Sequence, residues 1–230
     1  MREICLDTET TGLDPRDGHK IVEIACVELV NRIKTGNHFH AYVNPRRDVP
    51  AEAFRVHGIS TEFLKDKPIF AHVAYQFLDF IRGAKLVIHN AAFDMKFINF
   101  ELNMIGVDPL SNIEIIDSLV LARNKFPGAQ NSLDALCRRF DVDLSKRTKH
   151  GALLDSELLA DIYIELMGGA QGGLNLVAKD QSEKQIQEMK ILQAKNMIES
   201  RNFKVSDDDL KKHQEFIAKN FKSNLWYIES

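Results

Sequence analysis

Carboxylates interrupt two apolar patterns in this 230-residue chain, and both placements restrict how it can fold. Asp7 and Glu9 follow Ile4, Cys5 and Leu6, a run expected to form a central, buried strand. Two positions apart on a strand, both acids point to the same sheet face. Much later, Ala152, Asp155, Leu159, Ile162 and Leu166 recur at three- and four-residue steps. Asp155 therefore lies on the core-directed stripe of a helix, whereas Asp161, off that stripe, reads as an ordinary surface acid. Clustered buried anions repel and are poorly solvated, so they shift towards neutrality unless a counter-charge joins them. A fold that accommodates this pattern brings the acids to positive charge or to solvent. A polar turn capping an exposed strand end is the plainer account of Asp7 and Glu9.

The order of the remaining elements narrows the architecture. Ile4–Asp7, Ile21–Val30 and Phe39–Val43 have the β-branched and aromatic content of three successive strands. Turn signals separate them: Asp14-Pro15-Arg16-Asp17-Gly18 before the second strand and Thr35-Gly36-Asn37 before the third. Helical patterns follow at about 70–82 and 92–105, with a short apolar strand, Lys85-Leu86-Val87-Ile88, between them. A further strand is expected near 113–117, then helices near 132–140 and 151–167. An antiparallel meander followed by alternating helix and strand predicts an α/β fold, a mixed β-sheet flanked by helices.

Four glycines in Gly168-Gly169-Ala170-Gln171-Gly172-Gly173 end that pattern. The expected organisation is a folded domain over 1–169, a flexible linker over 170–202 and a short C-terminal helical tail over 203–230. Ser206 followed by Asp207, Asp208 and Asp209 is a helix start with a capping hydroxyl and an acidic first turn. That helix carries Leu210, Phe216, Ile217 and Phe221, then Leu225-Trp226-Tyr227, more apolar surface than so short a tail hides alone.

Hydrophobic residues at 44% provide for an ordinary core, and no apolar run approaches the ~18 residues of a membrane span. The N-terminus runs directly into a strand pattern, so no signal peptide and a cytoplasmic location are expected. Cys5, Cys26 and Cys137 lie in apolar runs without paired spacing, which predicts buried thiols rather than zinc ligands or disulfides. A net charge of −3 excludes a protein that grips nucleic acid by bulk electrostatics. Basic clusters occur locally, at Arg46-Arg47, Arg138-Arg139 and Lys146-Arg147-Thr148-Lys149-His150.

Three segments carry the candidate chemistry: Asp7-Thr8-Glu9-Thr10-Thr11-Gly12, His89-Asn90-Ala91-Ala92-Phe93-Asp94 and His150-Gly151-Ala152-Leu153-Leu154-Asp155. Asp94 falls in the first turn of a helix, where the dipole stabilises a carboxylate whether or not it does chemistry. Phe93, Phe97, Phe100 and Met104 form a helical-period stripe expected in the core, with Phe93 at the end that can meet a base. His150 is five residues before Asp155, about 140° around an ideal helix, so it belongs to the loop leading in. A neutral imidazole there suits a general base. Hard carboxylate oxygens favour Mg²⁺ or Mn²⁺ over zinc.

In this order the segments resemble the three exonuclease motifs of the DEDDh superfamily, whose fold is ribonuclease H-like. Gly18-His19-Lys20-Ile21-Val22-Glu23-Ile24, Val56-His57-Gly58-Ile59, Asn131-Ser132-Leu133-Asp134-Ala135-Leu136-Cys137 and Ser145-Lys146-Arg147-Thr148 narrow the resemblance. They are similar to the epsilon proofreading subunits of bacterial DNA polymerase III, over about residues 3–169. The resemblance implies two divalent metal ions, Asp7 bridging both, Glu9 and Asp155 completing the tighter site and Asp94 supporting the second. It implies His150 as the base, and Glu52 and His57 beside the terminal nucleotide with Asp7, Glu9 and Asp155. The implied reaction is 3′→5′ removal of mispaired nucleotides from single-stranded or frayed DNA 3′ ends.

The resemblance also implies partners: the polymerase III alpha subunit, held by the C-terminal tail, a sliding clamp and a small theta-like subunit. Gln171-Gly172-Gly173-Leu174-Asn175-Leu176 is similar to clamp-binding peptides, with Gln171, Leu174 and Leu176 as anchors. A plain interdomain spacer is the alternative for that segment. Two rival functions stand beside proofreading: a free-standing DEDDh exonuclease trimming RNA or short oligonucleotides, and a catalytically silent scaffold. No membrane partner is expected.

Overall fold

A computed structural model describes residues 1–145, 147, 149–169 and 206–220. The chain divides into two units, Met1–Leu174 and Asn175–Ser230. In the first unit, β1 (Arg2–Thr10), β2 (Ile21–Val30) and β3 (Ile33–Tyr42) form the expected antiparallel meander. Two parallel strands complete the sheet, β4 (Lys85–Ile88) beside β1 and β5 (Ile115–Asp117) beside β4, giving the order β3-β2-β1-β4-β5. β1 is thus the central strand, as its apolar start predicts.

The helices are α1 (Ala51–His57), α2 (Thr61–Leu64), α3 (Phe70–Ile81), α4 (Ala91–Met104), α5 (Ser118–Lys125), α6 (Leu133–Arg139) and α7 (Ala152–Leu166). The four long helical patterns fall within a residue or two of expectation. α1, α2 and α5 are unpredicted, being short or weakly amphipathic. No helix among the described residues is long and apolar enough to cross a membrane.

Side-chain alternation along β1 separates the two faces of the sheet. Ile4 and Leu6 enter one core with Ile24, Cys26, Leu86 and Ile88, roofed by Phe77 of α3 and Phe97 of α4. Cys5 enters the opposite core with Val27, Leu29, Val87 and Leu159, Ala160 and Tyr163 of α7. By the same period of two, Asp7 and Glu9 share the α7 face, while Thr8 turns towards α4. All three cysteines are buried and unpaired.

Two expectations are corrected. The turn between β2 and β3 is Asn31-Arg32, not Thr35-Gly36-Asn37: both residues have positive φ (52° and 63°), as a tight two-residue hairpin requires. Thr35–Asn37 lies within β3 at an irregularity in register, where Glu28 Oε2 accepts from Thr35 Oγ1 (2.7 Å) and Asn37 Nδ2 (2.8 Å). Turn-forming residues here serve a bulge. Met104 is the second correction. Phe97 is core, but Met104 is 63% exposed at the last residue of α4, beyond the reach of the sheet.

In the second unit, the described residues form α8 (Asp207–Asn220), capped by Ser206, whose Oγ accepts from the Asp209 N–H at 3.3 Å. Leu210 and Phe216 are exposed on it. Gln171, Leu174 and Leu176, and Phe221 and Leu225 to Tyr227, lie outside the described residues.

Candidate active site

The end of β1 delivers the first two acids. After Glu9 the chain turns through Thr10–Gly12, where Thr10 Oγ1 donates to Gly12 O (2.7 Å). Thr11 and Lys20 close the loop with two hydrogen bonds, at 2.9 and 3.0 Å. The His19 ring packs over Gly12 so closely that a Cβ there would lie 2.3 Å from it, so the turn has no space for a side chain. Lys96 of α4 reaches Leu13 O (2.8 Å) and ties the turn to the helix carrying Asp94.

Asp94 sits in the first turn of α4, buried, its Oδ1 accepting from Thr8 N–H (3.1 Å) and Thr8 Oγ1 (2.7 Å). The α4 N-terminus gains no cap from Asn90, which adopts a left-handed backbone (φ 69°). Asp117, at the end of β5, accepts instead from Asn90 N–H (3.2 Å) and Ala91 N–H (3.0 Å), and also caps α5 through Leu119 N–H (2.9 Å). One aspartate thus orders two helix starts behind the site.

α7 lies against β1 and β2 and brings Asp155 to the same face as Asp7 and Glu9. Its start is held by Glu23 of β2, cross-strand neighbour of Glu9, whose Oε2 accepts from Ala152 N–H (3.0 Å). Glu23 Oε1 lies 2.7 Å from His40 Nε2. His150, exposed in the loop before α7, has Nδ1 3.2 Å from Asp155 Oδ2, while its N–H donates to Val56 O (3.2 Å). Glu9, His150 and Asp155 each offer a ligand atom within 4.8 Å of the others.

Asp155 has a counter-charge the sequence reading did not assign. Arg147 grips it with Nε on Oδ1 (2.6 Å) and Nη2 on Oδ2 (2.7 Å), and its Nη1 donates to Asp134 of α6. Burial opposes ionisation of Asp155, but Arg147 and His150 hold its carboxyl below the usual carboxylate range. The other acids behave oppositely. Burial, then Asp94 and Glu9, push Asp7 well above that range. Burial and the Asp155 and Glu23 charges carry Glu9 to about 8. Burial raises Asp94 to about 7 against the Thr8 hydrogen bonds.

A donor set of carboxylate oxygens and one imidazole, in which Asp7, Glu9 and Asp94 are reluctant to ionise unaided, fits a hard divalent cation. Glu9, His150 and Asp155 form one candidate metal cluster, flanked by Asp7 and Asp94. A cleft of about 490 Å³ opens beside Glu9, lined by Leu13, Glu52, Val56, His57 and Phe93 among others. Glu52 and His57, implied by resemblance only, thus face the same cleft from α1. His57 is buried at the last residue of α1, its Nδ1 accepting from Ile59 N–H (3.0 Å), and Glu52 is exposed. Phe93 is half-buried against Phe97, ring centroids 5.2 Å apart.

Arg147, Glu23, Thr8 and Asp117 are the residues that sequence reasoning missed. Arg147 was signalled by the basic cluster beside an acid that needed a counter-charge. Glu23 was signalled by an acid in a strand whose first nine residues are all buried. Thr8 and Asp117 carried no such signal, since each acts across the sheet.

A family model described as Exonuclease matches residues 4–163. The chain is 50% identical over 228 residues to DNA polymerase III subunit epsilon of Rickettsia conorii, covering 97% of this chain and 98% of that relative. It is 56% identical over 175 residues to DNA polymerase III subunit epsilon of Escherichia coli, covering 73% of this chain and 72% of that one. Among solved structures it is similar to exonuclease X in complex with 5′ overhanging duplex DNA. That likeness has a TM-score of 0.55 at 29% identity, over 72% of this chain and 90% of the other.

Proposed function

This chain belongs to the exonuclease family and, within it, to the epsilon subunits of DNA polymerase III, and from that membership we propose how its acidic cleft proofreads. The protein is a metal-dependent 3′→5′ exonuclease, the proofreading subunit of the replicase. The observation that carries this reading is the convergence of Glu9, at the end of β1, with His150 and Asp155, at the start of α7, their ligand atoms within 4.8 Å of one another.

Asp7, Glu9, Asp94 and Asp155 would hold two divalent ions, Mg²⁺ or Mn²⁺. Bound there, such ions would offset charge growing on the scissile phosphate and ease deprotonation of the attacking water. The chain's own residues do the rest. Asp94 is fixed by two hydrogen bonds from Thr8, so this ligand need not reorganise during reaction. His150, projecting from its loop beside Asp155, accepts the water's proton. The terminal nucleotide occupies the cleft between Phe93, Glu52 and His57. A mispaired end is already unstacked and needs less energy to enter than a paired one.

Three partners extend the reading. Gln171, Leu174 and Leu176 enter a groove of the sliding clamp, the 203–230 tail tethers the nuclease to the alpha subunit, and a theta-like subunit is a third companion. The domain limits 1–169, 170–202 and 203–230 follow the same division of labour. Support comes from the Gln-x-x-Leu-x-Leu spacing and from the exposed Leu210 and Phe216 of α8. A paired Gln171→Ala and Leu174→Ala change is expected to weaken clamp association at least about tenfold, since truncating anchor residues typically costs more than 1 kcal/mol each. Unchanged binding in a pull-down removes that assignment.

The activity test compares 3′-mismatched primed DNA, matched DNA and RNA oligomers with Mg²⁺ present. Mononucleotides are expected fastest from the mismatched terminus. Faster release from RNA than from mispaired DNA moves the assignment to RNA trimming.

A further inference from the structure

Asp155 and Arg147 form the most enclosed ion pair of the site, their side chains 4% and 7% exposed. The contact is a fork on both carboxylate oxygens, at 2.6 and 2.7 Å. The third arm of the guanidinium is held by Asp134, and Nη2 lies 2.9 Å from His150 Nδ1. An arginine keeps its charge at any physiological pH, so this positive charge is permanent. Yet Asp155 is also one of the three residues whose ligand atoms cluster for a cation. One carboxylate is therefore addressed from two sides by positive charge.

We propose that Arg147 is a built-in counter-ion that shares Asp155 with the catalytic metal, stabilising the protein when no ion is bound and lowering metal affinity when one arrives. The inference rests on the metal-site reading above. Two like charges a few ångströms apart in a partly desolvated site oppose each other strongly. Binding a dication thus loosens the guanidinium from at least one Asp155 oxygen. Removing the guanidinium leaves Asp155 buried without its partner, a loss that the metal then makes good.

The test is Mn²⁺ binding to the full chain without DNA, followed by the electron paramagnetic resonance signal of free Mn²⁺, with thermal melts in parallel. Arg147→Gln is expected to bind Mn²⁺ at least about fivefold more tightly than the parent. In chelator it is expected to melt about 10 °C lower, the usual effect of orphaning one partner of a buried pair in a domain this size. Saturating Mn²⁺ should restore most of that loss. Arg147→Lys, which keeps the charge but not the fork, should fall between the two and serves alone if the glutamine variant does not fold. Weaker or unchanged Mn²⁺ binding in either variant overturns the proposal and leaves the exonuclease assignment standing. Absence of Mn²⁺ binding by the parent chain itself overturns both.

Discussion

Asp7→Asn is expected to abolish nucleotide release, by about 10³-fold or more, while raising the melting temperature of the metal-free protein by a few degrees. The two effects have one cause. Asp7 stands at the centre of the acid cluster, its carboxyl pushed upwards first by burial and then by the charges of Asp94, Glu9, Asp155 and Glu23. An uncharged isostere relieves that repulsion, a gain on the order of 1–2 kcal/mol, or about 2–8 °C in a domain of this size. On the proposed metal site, the same change would also remove one of the carboxylates that hold the ions. Metal stabilisation of the transition state is worth several kcal/mol, and each 1.36 kcal/mol is tenfold in rate, so loss of ~4 kcal/mol gives about 10³. Mononucleotide release from a mismatched primer and calorimetric melts in chelator check both halves. A variant that is less stable than the parent, or that keeps activity within tenfold, contradicts the assignment of Asp7 as a strained ligand.

This coupling also explains how the site was visible before the fold. Asp7, Glu9 and Asp155 broke local rules, an acid in a buried strand and an acid on a core stripe, and such violations concentrate at functional sites. The long helices and the central place of β1 were legible for the opposite reason: Ile4 to Leu6, the 70–81 stripe and the Leu159–Ile162 stripe obey the patterning rules. What was not legible depended on contacts between distant segments. Thr8 fixes Asp94 across the sheet, Asp117 caps two helices from a third element, and Arg147 reaches Asp155 and Asp134 from a loop. Local spacing cannot encode these meetings. The Asn31-Arg32 hairpin escaped notice for a further reason. Thr35-Gly36-Asn37 is the stronger turn signal, but the glycine's freedom is used inside β3, where φ is 86°.

Raising the pH of the metal-free protein from about 5 to 9 is expected to destabilise it by several kcal/mol, and saturating Mg²⁺ is expected to remove most of that slope. Glu9 is raised from 4.5 to about 8, chiefly by burial and Asp155, and Asp94 from 3.8 to about 7, chiefly by burial. Between the ordinary and the raised value, the folded chain holds a proton that the unfolded chain has released. Stability from these two acids is therefore fully present below pH 4 and is lost as pH rises through 7 and 8. The protons leave the cluster as a coupled set, so the slope belongs to the site as a whole. Asp155 contributes with the opposite sign: Arg147 lowers its carboxyl, so its share is present above the ordinary carboxylate range and lost only in acid. A divalent ion takes the place of the protons, which makes its binding proton-releasing and tighter at higher pH. Urea melts across the pH series, in chelator and in Mg²⁺, measure the slope, and titration calorimetry in buffers of different ionisation enthalpy counts the protons. Glu9→Gln combined with Asp94→Asn should flatten the chelator curve without Mg²⁺. A stability that instead climbs from pH 5 to 8 in chelator would mean that these acids are ionised in the folded chain, with a counter-charge other than the metal beside them.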